Sequence, residues 1–186
     1  GNPVTGIACL AQNLREEREE DGEITELSSQ ILEQTKRISR IVQSLMSFAH
    51  AGSHQHSDEP VCLAEVAQDA IGLLALNRRN FEVQFFNLCD PEHWVEGDPQ
   101  RLAQVLINLL SNARDASPAG AAVRVRSEAS EHTVDLIVED EGSGIPKNIM
   151  DRLFEPFFTT KDPGEGTGLG LALVYSIVEE HYGHVS

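Results

Sequence analysis

The feature that most constrains the fold is a long apolar stripe in the first third of the chain. Its positions follow one another at spacings of three and four residues, and all but Gln34 are apolar. We call these positions the seam: Ile24, Leu27, Ile31, Gln34, Ile38, Ile41, Leu45 and Phe48. This is the heptad spacing of a helix that packs lengthwise against other helices. A shorter stretch with the same spacing, opened by Pro3 and closed near Arg18, predicts a preceding helix.

The two helices and the acidic turn between them predict an antiparallel hairpin over residues 1–51. A hairpin of two helices cannot bury a continuous seam alone, so we expect two copies to form a dimeric four-helix bundle. The first helix is shorter than the second, which leads us to expect that roughly ten helical residues are missing at its start.

Composition excludes several classes of protein. The 186 residues include 30 acidic and 14 basic side chains, a net charge of −16, which argues against nucleic-acid binding. No long apolar run and no basic leader occur, so we expect neither a membrane segment nor a signal peptide and predict a cytoplasmic fragment, although the intact protein could be anchored elsewhere. The three cysteines form no CxxC pair, and we expect them to be small buried hydrophobes.

Residues 52–60 are small and polar and predict a linker. Its histidines, with His50, could be imagined as a metal cluster, but solvated linker histidines are the favoured interpretation. The remainder, residues 61–186, predicts a mixed α+β domain. Its expected elements are a helix to about Leu76, a β-rich run over 81–87, an extended piece over 93–97, a helix from the Asp98 cap to Ala116, paired strands over 123–127 and 134–139, and a helix over 169–181.

Asn108 and Asn112 are four residues apart and therefore share a face of the helix that Asp98 begins. A magnesium ion that carries phosphates prefers oxygen ligands, and a neutral amide supplies one without repelling the phosphates. The alternative is that one of them is an ordinary exposed polar residue.

Two glycine-containing segments follow. Asp140, Gly142 and Gly144 come directly after a predicted strand. A carboxylate there can accept a hydrogen bond from an exocyclic amine such as that of adenine, and the glycines let a flat ring approach closely. The alternative is an ordinary turn, since such turns are common in proteins without ligands. Four alternating glycines from Gly164 to Gly170 lead into the last helix and suit an anion site, or else form a mobile loop. They match neither the dinucleotide fingerprint nor the P-loop.

Taken in order, these segments resemble the nucleotide-binding domain of the sensor histidine kinases of two-component systems. The matching segments are the N box (108–116), the G1 box (140–146), the F box LFEPFFTTK (153–161) and the G2 box (164–171). The resemblance implies a GHKL-type (Bergerat) α/β sandwich that binds ATP and Mg²⁺. Asn2-Pro3 is similar to the end of the phosphoacceptor motif that opens the family's dimerisation hairpin, so the acceptor histidine would lie three residues before Gly1.

The resemblance also implies roles for individual residues. Asn112 would hold magnesium. Asn108 would be a catalytic residue and a possible second ligand, in the place where related ATPases carry a catalytic Glu. Asp140 would accept from adenine, with room left by Gly142 and Gly144. The triphosphate would be lined by Thr160, Lys161, Gly166, Thr167, Gly168, Leu169 and Gly170. Many family members have Lys where this chain has Asp115, whose role stays open; Asn2 matches a residue linked to dephosphorylating the regulator.

The implied function is transfer of the γ-phosphoryl group of Mg-ATP to a histidine of the homodimeric hairpin, and then to an aspartate of a response-regulator receiver domain. Two alternatives stay open: a non-catalytic nucleotide-binding signalling dimer, and a regulator phosphatase that uses Asn2.

Overall fold

The computed structural model describes residues 3–17, 22–50, 59–76, 83–161 and 166–186. The predicted hairpin is confirmed: α1 (Pro3–Glu17) and α2 (Gly22–His50) pack against each other. Among the hairpin side chains that the structure describes, the buried ones are those of Ala11, Ser28, Leu32 and Thr35.

Several seam residues lie outside this covered face. Ser28, Leu32 and Thr35 occupy one side of α2, whereas the seam residues Leu27 and Ile31 are 53% and 42% exposed. Leu27, Ile31 and Ile38 are therefore not covered by packing between α1 and α2, whereas Ile24 and Ile41 are half-buried.

The second half of the chain is an α+β structure, as predicted. Its elements are β1 (Glu59–Cys62), α3 (Leu63–Leu76), β2 (Gln84–Leu88), β3 (Trp94–Gly97), α4 (Pro99–Ala116), β4 (Ala122–Ala129), β5 (Val134–Glu139), a 3-10 helix (Lys147–Arg152) and α5 (Gly170–Glu180). β1 pairs with β3 in an antiparallel ribbon, and β4 lies between a parallel β2 and an antiparallel β5.

The start of this half differs from the prediction. Glu59 and Pro60, which were expected in the linker, are strand residues opposite Gly97 and Glu96. The helix consequently begins at Leu63 rather than near Val61. A four-residue strand carries too little periodicity to be recognised, and its partner lies more than thirty residues further along the chain.

Helix α4 is at the centre of the domain because two of its faces are buried. Leu106 and Leu110 are fully buried in the main core with Val123 and Val125 of β4. On another face, Val105 joins a smaller core made with residues of α5. The helix that carries the N box is thus held between the sheet and α5.

The beginning of α4 is tied to the end of α5. The Asp98 carboxylate caps α4 by accepting from the amides of Gln100 and Arg101 at 2.8 and 3.3 Å. The amide of Asp98 donates to His181 Nε2 at 3.1 Å, and His181 Nδ1 lies 2.8 Å from the carbonyl oxygen of Ile177. These bonds set the two helices side by side.

The cysteines differ from one another. Cys62 is buried and Cys89 is partly buried, but Cys9 is exposed on α1, so the expectation that all three are buried is wrong for Cys9. Burial raises the pKa of the Cys89 thiol above its ordinary value. Within the described ranges, none of the helices combines the length and the apolar character needed to cross a membrane.

Candidate nucleotide-binding site

The N box lies on the second half of α4, facing the start of α5. Asn108 and Asn112 are half-buried. A Cβ built on Gly170 would lie 3.7 Å from Asn108 Oδ1, so this amide faces the first turn of α5. Asn108 Nδ2 is buried and has no hydrogen-bond partner among the described residues. A buried donor of this kind is costly unless an acceptor comes to it.

The G1 box folds back onto the end of α4. Asp140 Oδ1 accepts from the amide of Gly142 at 2.8 Å, which closes a tight turn directly after β5. A Cβ at Gly142 would lie 2.7 Å from the carbonyl oxygen of Ala116, so no larger residue fits this approach. Gly144 has φ +71°, a backbone conformation that favours glycine. The exposed Asp140 carboxylate is thereby placed beside the N box.

The G2 box leads into the first turn of α5, which faces Asn108 and has free backbone amides. The first helical bond of α5 runs from the amide of Leu173 to the carbonyl of Leu169, and no side chain caps the helix start. The amides of Gly170, Leu171 and Ala172 therefore lack helical acceptors. Free amides and the helix dipole make this end attractive to anions.

The F box is fastened to the G2 box through its backbone. The amide of Phe157 donates to the carbonyl oxygen of Gly168 at 2.8 Å. Both residues have positive φ, +68° and +66°. A Cβ on Gly168 would lie within 2.6 Å of the carbonyl oxygen of Phe157, so glycine is required at this crossing.

Aromatic contacts hold the rest of the F box. The rings of Phe154 and Tyr175 have centroids 5.5 Å apart, which joins the loop to α5. The guanidinium of Arg152 lies 4.4 Å from the centroid of the Phe158 ring. The F box is therefore a packed loop, while Phe157 itself is 64% exposed.

Lys161 bridges the F box and the N box. Its Nζ lies 2.5 Å from Asp115 Oδ2, and Asp115 Oδ1 accepts from Arg114 Nε and Nη2 at 2.9 and 2.6 Å. Burial by itself raises the pKa of Asp115, but the hydrogen bonds from Lys161 and then Arg114 outweigh it and lower that pKa. The carboxylate is therefore a stable anion between two cations.

Most of the predicted site residues converge. The N box, the G1 turn, Lys161 and the start of α5 surround one region at the end of α4. Leu169 is 2% exposed, so its backbone alone can line the region, and Thr160 is exposed beside Lys161. Thr167 Oγ1 accepts from the amide of Leu169 at 3.4 Å. Asn2, Gly164 and the linker histidines His54 and His56 lie outside the described residues.

Two interactions near the site were not predicted. The Asp115–Lys161 pair joins residues 46 positions apart, although Asp115 could have been suspected because it follows Asn112 by three residues on the same helix. Glu141 in the G1 box accepts from the amide of Ala122 and pairs with Arg124 of β4, and these bonds lower the pKa of Glu141.

The hydrogen-bond donors and the oxygen ligands of this region fit a nucleoside triphosphate with magnesium. The unpaired amide of Asn108, the free amides of α5 and Lys161 all offer hydrogen to phosphate oxygens. Asn112 offers an amide oxygen for a hard cation. Asp140 Oδ2 has no partner within the described part of the chain and can accept from an amine. Elsewhere in those ranges, no group of three or more His, Cys, Asp or Glu residues could hold a metal.

Two family models match this chain. Residues 97–186 match the histidine kinase-, DNA gyrase B- and HSP90-like ATPase family, and residues 1–54 match the His Kinase A (phospho-acceptor) domain. The first match contains every residue of the region just described, and the second covers the hairpin.

Similar proteins agree with both matches. Sensor histidine kinase ZraS of Escherichia coli K12 is 34% identical over 99% of this chain, which spans 39% of that protein's length. The mycobacterial sensor histidine kinase MprB structure is 33% identical, with a TM-score of 0.59 over 67% of this chain and 80% of that one. Histidine kinase ThkA, solved with the response regulator TrrA, is 26% identical, with a TM-score of 0.69 over 98% of this chain and 52% of that one.

Proposed function

Because the chain belongs to the sensor histidine kinases, we propose that it binds Mg-ATP at the end of α4 and transfers the γ-phosphoryl group to a histidine of the dimer hairpin. The observation that carries the proposal is the buried Asn108 Nδ2, a donor without a partner among the described residues. A phosphate oxygen is the acceptor that best satisfies such a donor beside a free helix N-terminus.

Different residues would bind the adenine, the phosphates and the magnesium ion. Asp140 accepts from the adenine amine, and Gly142 and Gly144 leave room for the ring. The amides at the start of α5 and Lys161 donate to the phosphates. Asn112, with Asn108 as a possible second ligand, would hold magnesium, which supplies neutralisation of phosphate charge when it is bound.

Phosphoryl transfer depends on the correct positioning of the reacting groups and not on a covalent bond to the ATP-binding domain. The imidazole nitrogen of the acceptor attacks the γ-phosphorus in line while the bond to the ADP oxygen breaks. The amide of Asn108 cannot remove a proton from water, which fits an enzyme that spares ATP from water for the histidine. Helices and glycine turns hold the donors in fixed places, which lowers the cost of reaching the transition state.

Dimerisation and relay belong to the same proposal. The exposed seam residues Leu27, Ile31 and Ile38 support a homodimeric four-helix bundle, because apolar side chains at heptad spacing are usually covered by another helix. The likeness to ThkA, a histidine kinase solved in complex with the response regulator TrrA, supports onward transfer to an aspartate of a receiver domain.

Two measurements test the proposal. Calorimetry with Mg-ATP is expected to show binding that Asp140→Asn abolishes and that Asp135→Asn, a matched change of an exposed carboxylate on β5, leaves unchanged. The full-length protein incubated with γ-labelled ATP and magnesium should acquire acid-labile, base-stable label, and Asp140→Asn should remove it. Binding without label would overturn the kinase and support the nucleotide-binding signalling dimer.

A further inference from the structure

The ion pair between Lys161 and Asp115 crosses the region where the phosphates are proposed to lie. Lys161 ends the F box, and its stem passes Gly166, where a Cβ would lie 3.3 Å from both Lys161 Cβ and Cδ. Its ammonium then reaches Asp115 Oδ2 at 2.5 Å. The pair therefore runs from the F box, past the G2 box, to the end of α4.

Asp115 belongs to the same face of α4 as the N-box amides. It follows Asn108 by seven residues and Asn112 by three, which is the spacing of one helical face. Its carboxylate is thus an anion on the face that is proposed to meet a highly charged nucleotide. Arg114 occupies its other oxygen, so two cations share one carboxylate.

We propose that Asp115 competes with the phosphates of the nucleotide for Lys161, and so sets the affinity of the site. This inference rests on the proposed function. Carboxylate and phosphate oxygens are alternative acceptors for the same ammonium group, and the carboxylate also repels the polyanion. The Lys161 and Asp115 side chains are each 32% exposed, so the pair is weak enough for phosphate to replace it.

The competition makes a prediction that a simple positioning role does not. If Asp115 only held Lys161 ready for phosphate, its removal would weaken binding. If Asp115 competes for Lys161, its removal strengthens binding, and the gain depends on Lys161. If Asp115 acted by repulsion alone, the gain would be the same without Lys161.

A double-mutant cycle separates these cases. Dissociation constants for Mg-ATP are measured by calorimetry at low salt for the unmodified protein, Asp115→Asn, Lys161→Met and the double variant. We expect Asp115→Asn to tighten binding by about two- to fivefold, the range that an exposed ion pair supports, and to give less than half of that gain beside Lys161→Met. The gain should shrink as salt is raised.

The control is Asp151→Asn, which removes an exposed carboxylate on the 3-10 helix and should leave the affinity unchanged. Weaker or unchanged binding by Asp115→Asn, or equal gains in both backgrounds, would overturn the competition while leaving the proposed function intact. No Mg-ATP binding by the unmodified protein would overturn the proposed function, and this inference with it.

Discussion

At the scale of the residue, the site depends on one close crossing of two backbones. Gly168 and Phe157 both have positive φ and are joined by a hydrogen bond of 2.8 Å. Phe157 tolerates this conformation because the bond and the aromatic contacts of its neighbours hold the loop in place. Gly168 cannot be replaced by a residue with a side chain, because the Phe157 backbone fills the space where its Cβ would lie.

Gly168→Ala should therefore be more harmful than Gly144→Ala. Both glycines have positive φ, +66° and +71°, but a Cβ at Gly144 meets open space. We expect Gly144→Ala to cost about 1 kcal/mol of unfolding free energy from backbone strain, and Gly168→Ala about 3 kcal/mol because steric overlap is added. Urea unfolding of both variants measures this, and equal losses would contradict the crossing.

The charge of Asp115 predicts a pH dependence of stability. Its pKa in the folded protein is lowered from the ordinary value of 3.8, the pull of Lys161 and Arg114 exceeding the effect of burial. A lowered pKa means that the ion pairs contribute fully above the ordinary value and are lost as pH falls through the lowered one. The stability difference between the unmodified protein and Asp115→Asn should thus be constant from about pH 5 to 7 and shrink below about pH 4. Urea unfolding across this range checks it, and a difference that grows in acid would contradict it.

At the scale of the element, α4 connects fold and site. Its first turn is fastened by Asp98 and His181, its middle is buried on two sides, and its end carries the N box. The same helix therefore joins the capped start, the core and the N box.

Removing the cap measures how much α4 depends on it. Asp98→Ala loses the acceptor of the amides of Gln100 and Arg101, and we expect it to cost about 1 kcal/mol of unfolding free energy. Asp98→Asn keeps a side-chain oxygen that can cap, and it should lose only a few tenths of a kcal/mol. Thermal and urea unfolding compare the two variants, and an equal loss in both would show that the charge of Asp98 matters more than the cap.

A glycine in the middle of α3 allows a stabilising change. Gly72 is exposed, and a Cβ there has no atom within 4 Å. Gly72→Ala is expected to raise the unfolding free energy by about 0.5–1 kcal/mol, because alanine restricts the unfolded chain and favours the helix. Urea unfolding tests this. A loss of stability would mean that α3 needs glycine for a reason other than space.

The sequence predicts the elements that have local signals and not those that depend on distant partners. Helix α4 was recognised with its cap because Asp98, Pro99 and the apolar spacing are local signals. Strand β1 was missed because its evidence lies in β3, and four residues cannot show a period. The Asp115–Lys161 pair was missed for the same reason: it is created by folding between distant segments, and neither residue alone indicates its partner.

At the scale of the whole molecule, the hairpin was predicted correctly, but the face by which its helices meet was not evident. The heptad spacing predicts the seam as an apolar stripe, yet the buried side chains in the described part of α2 are those of Ser28, Leu32 and Thr35. Spacing shows which residues share a face, but it does not show which of two neighbours that face will meet. The exposed seam residues Leu27, Ile31 and Ile38 are the ones that the proposed dimer would cover.

Charges placed on the seam should separate the proposed dimer without unfolding the second domain. Ile31→Glu combined with Ile38→Glu puts two like-charged carboxylates per copy into an apolar interface, where unpaired charges are costly. Light scattering after size-exclusion chromatography should give the mass of two chains for the unmodified protein and of one chain, 20.4 kDa, for the double variant. Ser29→Glu, at an exposed position of the same helix on the side opposite the seam, is the control and should stay dimeric. Because Mg-ATP binding is proposed for residues of the second domain alone, it should persist in the monomer. A double variant that stayed dimeric would show that the seam is not the interface between copies.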